Sequence, residues 1–143
     1  MQSKIKASGL DIKITEGHNY DLFSVADLAL ATSGTVTLEA ALCGLPSVIV
    51  YRTSALNAFI ARMVINIPNI GLPNIVAGRQ ILPELLQEDF TPAKVASTAV
   101  ELLAPENRPQ LEADLAFMKA RLGEPGAVDR VAQLILRIAE EKK

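Results

Sequence analysis

At 143 residues, half of them hydrophobic, the chain has material for one packed domain and too little for two complete nucleotide-binding lobes. A formal net charge of −2, with acidic and basic residues mixed along the chain, supplies no basic field and argues against a nucleic-acid partner. Cys43 is the sole cysteine, so no disulfide or multi-thiolate zinc site can form within the chain, and a reducing cytoplasmic compartment is expected.

Met1-Gln2-Ser3-Lys4-Ile5-Lys6 has no apolar run behind its lysines, so no signal peptide is predicted. Asp11 to Thr15 is a short β-branched stretch that reads as a strand, Asn19 to Ala26 has helical spacing at Leu22, Phe23 and Ala26, and Leu28 to Ala31 is an apolar strand. Thr35 to Cys43 forms a helix closed by Gly44, and Ser47 to Tyr51 is a buried strand. Glu39 is the only charged residue between Leu28 and Tyr51, and roughly 20 apolar residues would span a bilayer. Ser33-Gly34-Thr35 and Gly44-Leu45-Pro46 interrupt that run, so strand, turn, helix, turn, strand is the better reading. The repeating order predicts an α/β fold: a parallel sheet with crossover helices.

Ser54 caps a helix to about Val64 with Leu56, Phe59, Ile60 and Met63 on its apolar face, and Ile67 to Asn74 is a Pro- and Asn-punctuated connection. Pro83 starts a short helix, and Thr91-Pro92 opens another, the threonine as cap and the proline as first helical residue. Leu111, Leu115, Met118 and Leu122 form one apolar stripe; Val128, Val131, Leu134, Ile135 and Ile138 form a second beyond the Gly123-Glu124-Pro125-Gly126 break. The organisation is thus a partial Rossmann-like domain over 1–104 and C-terminal helices over 105–143. About two strands and a block of helices make half of a doubly wound sheet of about five or six strands, so the chain is expected to start in mid-domain. Both stripes are apolar enough to need a partner, which predicts self-association or docking on another lobe.

The segment Ala31-Thr32-Ser33-Gly34-Thr35-Val36-Thr37-Leu38-Glu39-Ala40-Ala41 sets a hydroxyl-rich turn between a strand's carboxyl end and a helix's amino end. Free peptide N–H groups and the helix dipole favour an anion there. Gly34 admits a phosphate close to the backbone, Ser33, Thr35 and Thr37 offer hydroxyls, and Glu39 stands one turn on, able to accept from a vicinal diol. The bland alternative is an ordinary capped turn with a glutamate complementing the dipole.

Ser33-Gly34-Thr35 with Thr37-Leu38-Glu39, then Gly44-Leu45-Pro46 and an apolar strand, resembles the donor segment of two-lobed GT-B glycosyltransferases. Tyr51-Arg52, then Leu72-Pro73-Asn74-Ile75-Val76-Ala77-Gly78-Arg79, then Pro83-Glu84-Leu85-Leu86-Gln87 narrow the resemblance to the lipid-A-disaccharide synthases, from about Glu16 to Leu103. That resemblance implies the C-terminal, UDP-sugar-binding lobe of such an enzyme. The implied reaction transfers a diacylated glucosamine from UDP to a lipid monosaccharide 1-phosphate, with inversion, no metal and no further cofactor, at the cytoplasmic face of the inner membrane. It implies that Ser33, Gly34, Thr35 and Thr37 serve the diphosphate and Glu39 the ribose. Arg52, Asn74, Arg79, Glu84 and Gln87 would line the cleft near the donor sugar and phosphates. Arg52 or Arg79 would offset charge on the departing diphosphate.

Each residue has a plainer role open to it: Arg52 as a strand-end cap, Asn74 as a turn residue, Glu84 as a complement to a helix N-terminus, Gln87 as surface. His18, the only histidine, follows Gly17 in a loop that either touches the base or does nothing. No Ser-His-Asp set, acid dyad or metal cluster can be assembled, and the acceptor lobe, its general base and the first Gly-rich loop have no counterpart. Catalysis by this chain alone is therefore not expected. The competing readings are another UDP-N-acetylglucosamine enzyme and a non-catalytic module that binds a nucleotide or a protein.

Overall fold

The computed structural model describes residues 2–53 and 69–141; the helix expected from Ser54 to Val64 lies outside them. Ser47–Tyr51 (β2) is the middle strand of a three-stranded parallel sheet, and its apolar run Val48-Ile49-Val50 follows from burial on both faces. Ala29–Thr32 (β1) flanks it on one side, with Ala29 opposite Ser47 and Thr32 opposite Val50. Glu84–Leu86 (β3) flanks it on the other, with Ile49 opposite Glu84 and Tyr51 opposite Leu86. The predicted α/β class and parallel pairing are observed, as in a partial Rossmann-like lobe.

Alternation along β2 sorts its side chains between two cores. Val48 and Val50 join Leu85 on one face, covered by Leu28, Phe90, Val95 and Leu102. Ile49 joins Ala41, Ala77, Ile81, Leu82, Leu111, Leu115 and Met118 on the other. Around the sheet, Gln2–Ser8 (α1) and Asn19–Val25 (α2) precede β1, and Thr35–Leu42 (α3) links β1 to β2. Leu72–Ala77 (α4) precedes β3, and Pro92–Leu103 (α5), Arg108–Arg121 (α6) and Ala127–Glu141 (α7) follow it. Two expected helix signals act as read: Gly44 takes φ 80° just past α3, and Thr91 Oγ1 accepts from the Lys94 N–H at 3.3 Å.

Leu111, Leu115 and Met118 of the first stripe are buried, whereas Leu122 lies past the end of α6 and is 44% exposed. The second stripe, on α7, is exposed throughout, from Val128 to Ile138.

The structure corrects several local expectations. Pro83 opens no helix: its carbonyl accepts from the Ile49 N–H at 2.9 Å, and the next three residues enter the ladder with β2. Proline at a strand's start loses no ladder bond, so pairing with β2 overrides the local helix signal. The connection expected to run to Asn74 ends at Gly71, because Pro73 sits in the first turn of α4, where its missing N–H is not needed. Asp11 to Thr15 is not a strand; Leu10, Ile12 and Ile14 are exposed, and among the described residues no strand lies beside them to accept a ladder. Cys43, which lies within an apolar run of the sequence, is exposed at the end of α3.

Asn74, fully buried on α4, holds the segment between α4 and β3 in place. Its Oδ1 accepts from the Ile81 and Leu82 N–H groups, both at 2.8 Å. Its Nδ2 donates to the Leu82 carbonyl at 2.8 Å and to Glu84 Oε1 at 2.7 Å, so its full hydrogen-bonding capacity is used. Asn74→Ala strands two peptide N–H groups and a carbonyl, and at about 1–3 kcal/mol each the expected loss in urea unfolding is at least about 3 kcal/mol. A loss under about 1 kcal/mol would mean that water replaces the amide. Met118→Ala should cost about 2–5 kcal/mol by the same measurement, and the exposed Leu122→Ala no more than about 0.5 kcal/mol.

Candidate functional site

In an open parallel sheet, ligands meet the protein at the carboxyl ends of the strands, where helix amino ends also point. Here that edge carries Ser33-Gly34-Thr35 after β1, Arg52-Thr53 after β2 and Gln87 after β3. Gly34 is the N-cap of α3 at φ 157°, ψ −173°, a region essentially restricted to glycine. A Cβ at this position would meet no atom within 4 Å, so backbone conformation demands the glycine and open space lies before it. With glycine as cap there is no side-chain cap on α3, and its leading peptide N–H groups remain for a ligand.

The hydroxyls around this turn are not equivalent. Ser33 Oγ donates to the Ile70 carbonyl at 2.8 Å, and Thr37, fully buried, donates from Oγ1 to the Gly34 carbonyl at 2.7 Å. Both protons therefore stabilise the turn, while Thr35 is exposed at its outer side. Glu39 follows Thr35 by four residues and shares its face of α3, about 6 Å further along the axis. Its carboxylate is half-buried and makes no hydrogen bond among the described residues.

Arg52 and Gln87 are brought together at the ends of β2 and β3. The Arg52 Nη2 donates to the Gln87 carbonyl at 3.2 Å and to the Phe90 carbonyl, and its guanidinium lies 5.3 Å from the Phe90 ring centre. Gln87 takes φ 50°, the only positive φ of a non-glycine residue among the described residues, a conformation that costs about 1 kcal/mol or more. Its Oε1 accepts from the Thr53 N–H at 3.4 Å.

Asn74 and Glu84 face inward, in the network between α4 and β3. Glu84 Oε2 accepts from the Ile70 N–H and Oε1 from the Gly71 N–H, both at 2.9 Å. Arg79 lies beyond Gly78, the left-handed C-cap of α4, at the opposite end of that six-residue helix from Gly71, a separation of about 9 Å. It pairs with the buried Asp114 of α6, which also accepts from Gln110 Nε2 at 3.0 Å, and its guanidinium sits 5.2 Å from the Phe117 ring centre. The Asp114 hydrogen bond raises the Arg79 pKa above its ordinary value. Gly17, at φ 80°, precedes His18, whose ring hydrogen-bonds Asp21 at 3.2 Å on an exposed surface.

Gly71 is a site residue that sequence reasoning passed over. A Cβ there would collide with Ile49 Cδ1 and come within 3.1 Å of Glu84 Oε1. The usable signal was a glycine one residue ahead of Leu72-Pro73, the N-cap position of a helix that takes proline in its first turn. Among the described residues no group of three or more His, Cys, Asp or Glu stands together to hold a metal ion, and no helix is long and apolar enough to cross a membrane.

Residues 2–138 match the family model described as lipid-A-disaccharide synthetase. The chain is 38% identical over 137 residues to the lipid-A-disaccharide synthase of Syntrophus aciditrophicus (strain SB), covering 95% of this chain and 36% of that protein. It is 39% identical over 135 residues to that of Geobacter sulfurreducens, with coverages of 94% and 35%. With that of Anaeromyxobacter dehalogenans (strain 2CP-C), identity is 42% over 132 residues, with coverages of 90% and 34%. The chain spans about a third of the length of these curated relatives. A match running through nearly every element described above means that the chain belongs to the lipid-A-disaccharide synthetase family.

Proposed function

We propose that this chain is the donor-nucleotide side of a lipid A glycosyltransferase. The reaction moves a 2,3-diacylglucosamine from UDP to a lipid monosaccharide 1-phosphate. The observation that carries this reading is the carboxyl-edge turn: Gly34 in a glycine-only conformation, open space before it, and uncapped α3 behind it. The α3 N–H groups and the Thr35 hydroxyl receive the diphosphate, with Ser33 and Thr37 holding the turn in shape. Glu39, whose carboxylate has no partner among the described residues, accepts from the ribose hydroxyls.

As the glycosidic bond to UDP breaks, negative charge grows on the diphosphate, and fixed N–H dipoles and a cation stabilise it. Arg52 is the better placed of the two candidate arginines, since it stands at the strands' carboxyl edge while Arg79 is engaged at the far end of α4. Gln87, beside Arg52, faces the donor sugar. The diphosphate needs no metal in this scheme, and the lipid substrates put the enzyme at the cytoplasmic face of the inner membrane. Transfer also requires an acceptor site and a general base, so the 143-residue chain alone binds nucleotide without turnover.

The exposed apolar face of α7 supports a second element of the reading, association of two copies through the C-terminal helices. Light scattering coupled to size exclusion at micromolar concentration is expected to give a dimer, and Leu134→Asp on α7 to shift it toward monomer; a monomeric parent chain sinks the association. For the site itself, calorimetric titration of UDP into the chain and its Glu39→Ala variant is decisive. Losing hydrogen bonds to a carboxylate is worth about 1.5–3 kcal/mol, so the variant should bind roughly 10- to 100-fold more weakly. Equal affinity would remove Glu39 from the ribose, and no binding by a folded parent chain would remove the nucleotide.

A further inference from the structure

Glu84 is charged, half-buried and part of β3, yet its carboxylate does not face the open edge. It grips two successive peptide groups: Oε2 accepts from Ile70 N–H at 2.9 Å and Oε1 from Gly71 N–H at 2.9 Å, while Asn74 Nδ2 donates to Oε1 at 2.7 Å. The same residue Ile70 accepts the Ser33 hydroxyl through its carbonyl at 2.8 Å. The chain of bonds therefore runs from Asn74 and Glu84 through the Ile70 backbone to Ser33, the first residue of the Ser33-Gly34-Thr35 turn. Gly71 permits this closeness, since a Cβ would collide with Ile49 and crowd Glu84.

We propose that Glu84 is a positioning residue that never touches the donor: through Ile70 it sets the Ser33 hydroxyl, and with it the turn that receives the diphosphate. The inference rests on the nucleotide reading only for the identity of the ligand. A carboxylate is the group the geometry demands, because three N–H donors converge on its two oxygens and both oxygens must accept. A glutamine in its place would turn an NH2 group either on the Ile70 N–H or on both Gly71 N–H and Asn74 Nδ2. The carboxylate also caps α4 from another element, where Gly71 offers no side chain.

The test uses the whole chain as Glu84→Gln, Ser33→Ala, the double variant, and Met118→Ala as a destabilised control remote from the turn. Amide hydrogen exchange at Thr37, whose N–H donates to the Gly34 carbonyl across the turn at 3.2 Å, is expected to quicken about tenfold in Glu84→Gln and in Ser33→Ala, and no further in the double variant, as coupled sites behave. Met118→Ala should leave that amide unchanged. Effects confined to Ile70, Gly71 and Asn74, additive effects in the double variant, or an equal response in Met118→Ala would each overturn the proposal. Should Glu84→Gln fail to fold, unchanged exchange at Thr37 in Ser33→Ala overturns it as well.

UDP titration separates this inference from the reading beneath it. A parent chain that binds UDP while Glu84→Gln binds equally well defeats the positioning role and spares the nucleotide site. Coupled exchange without UDP binding defeats the nucleotide and spares the positioning role.

Discussion

β2 is walled off from water on both sides, and most of the architecture answers to that. A strand in that position is apolar through its middle, must find a cover for each face, and can pair only through its backbone with neighbours on both edges. Ile49 gathers α3, α4 and α6 on one side, and Val48 with Val50 gathers Phe90 and α5 on the other. Tyr51 escapes burial at the carboxyl end, where the chain leaves the sheet toward Arg52. The polar edge of the molecule is thus set where the apolar requirement stops.

Those features driven by periodicity were legible in the sequence. Ser47 to Tyr51, the Thr35 helix with its Gly44 stop, the Thr91-Pro92 start and the Leu111, Leu115, Met118 stripe all rest on short-range patterns. What escaped depends on partners distant in the chain. Glu84 to Leu86 is too short to display alternation and becomes a strand only because β2 lies alongside. Asp11 to Thr15 has strand composition and no strand beside it among the described residues, so composition misleads there.

The site divides in the same way. The Ser33-Gly34-Thr35 turn was recognisable because a strand end, a glycine and a helix start fall within a few residues. The inward attachment of Asn74 and Glu84 was not, since a carboxylate after a proline reads locally as a helix-start residue. It does cap a helix, but one that ended seven residues earlier in the chain, a relation that only the tertiary structure discloses.

Gly71 carries a consequence for how this fold can drift over generations. The space a side chain would need there is already occupied by Ile49, in the middle of the central strand. Alanine at 71 therefore requires the Ile49 Cδ1 to turn away within the core, or position 49 to shrink to valine or smaller. That smaller residue thins the core shared by α3, α4 and α6 before any gain is available. Either route disturbs packing around the central strand first, which couples what positions 49 and 71 can become.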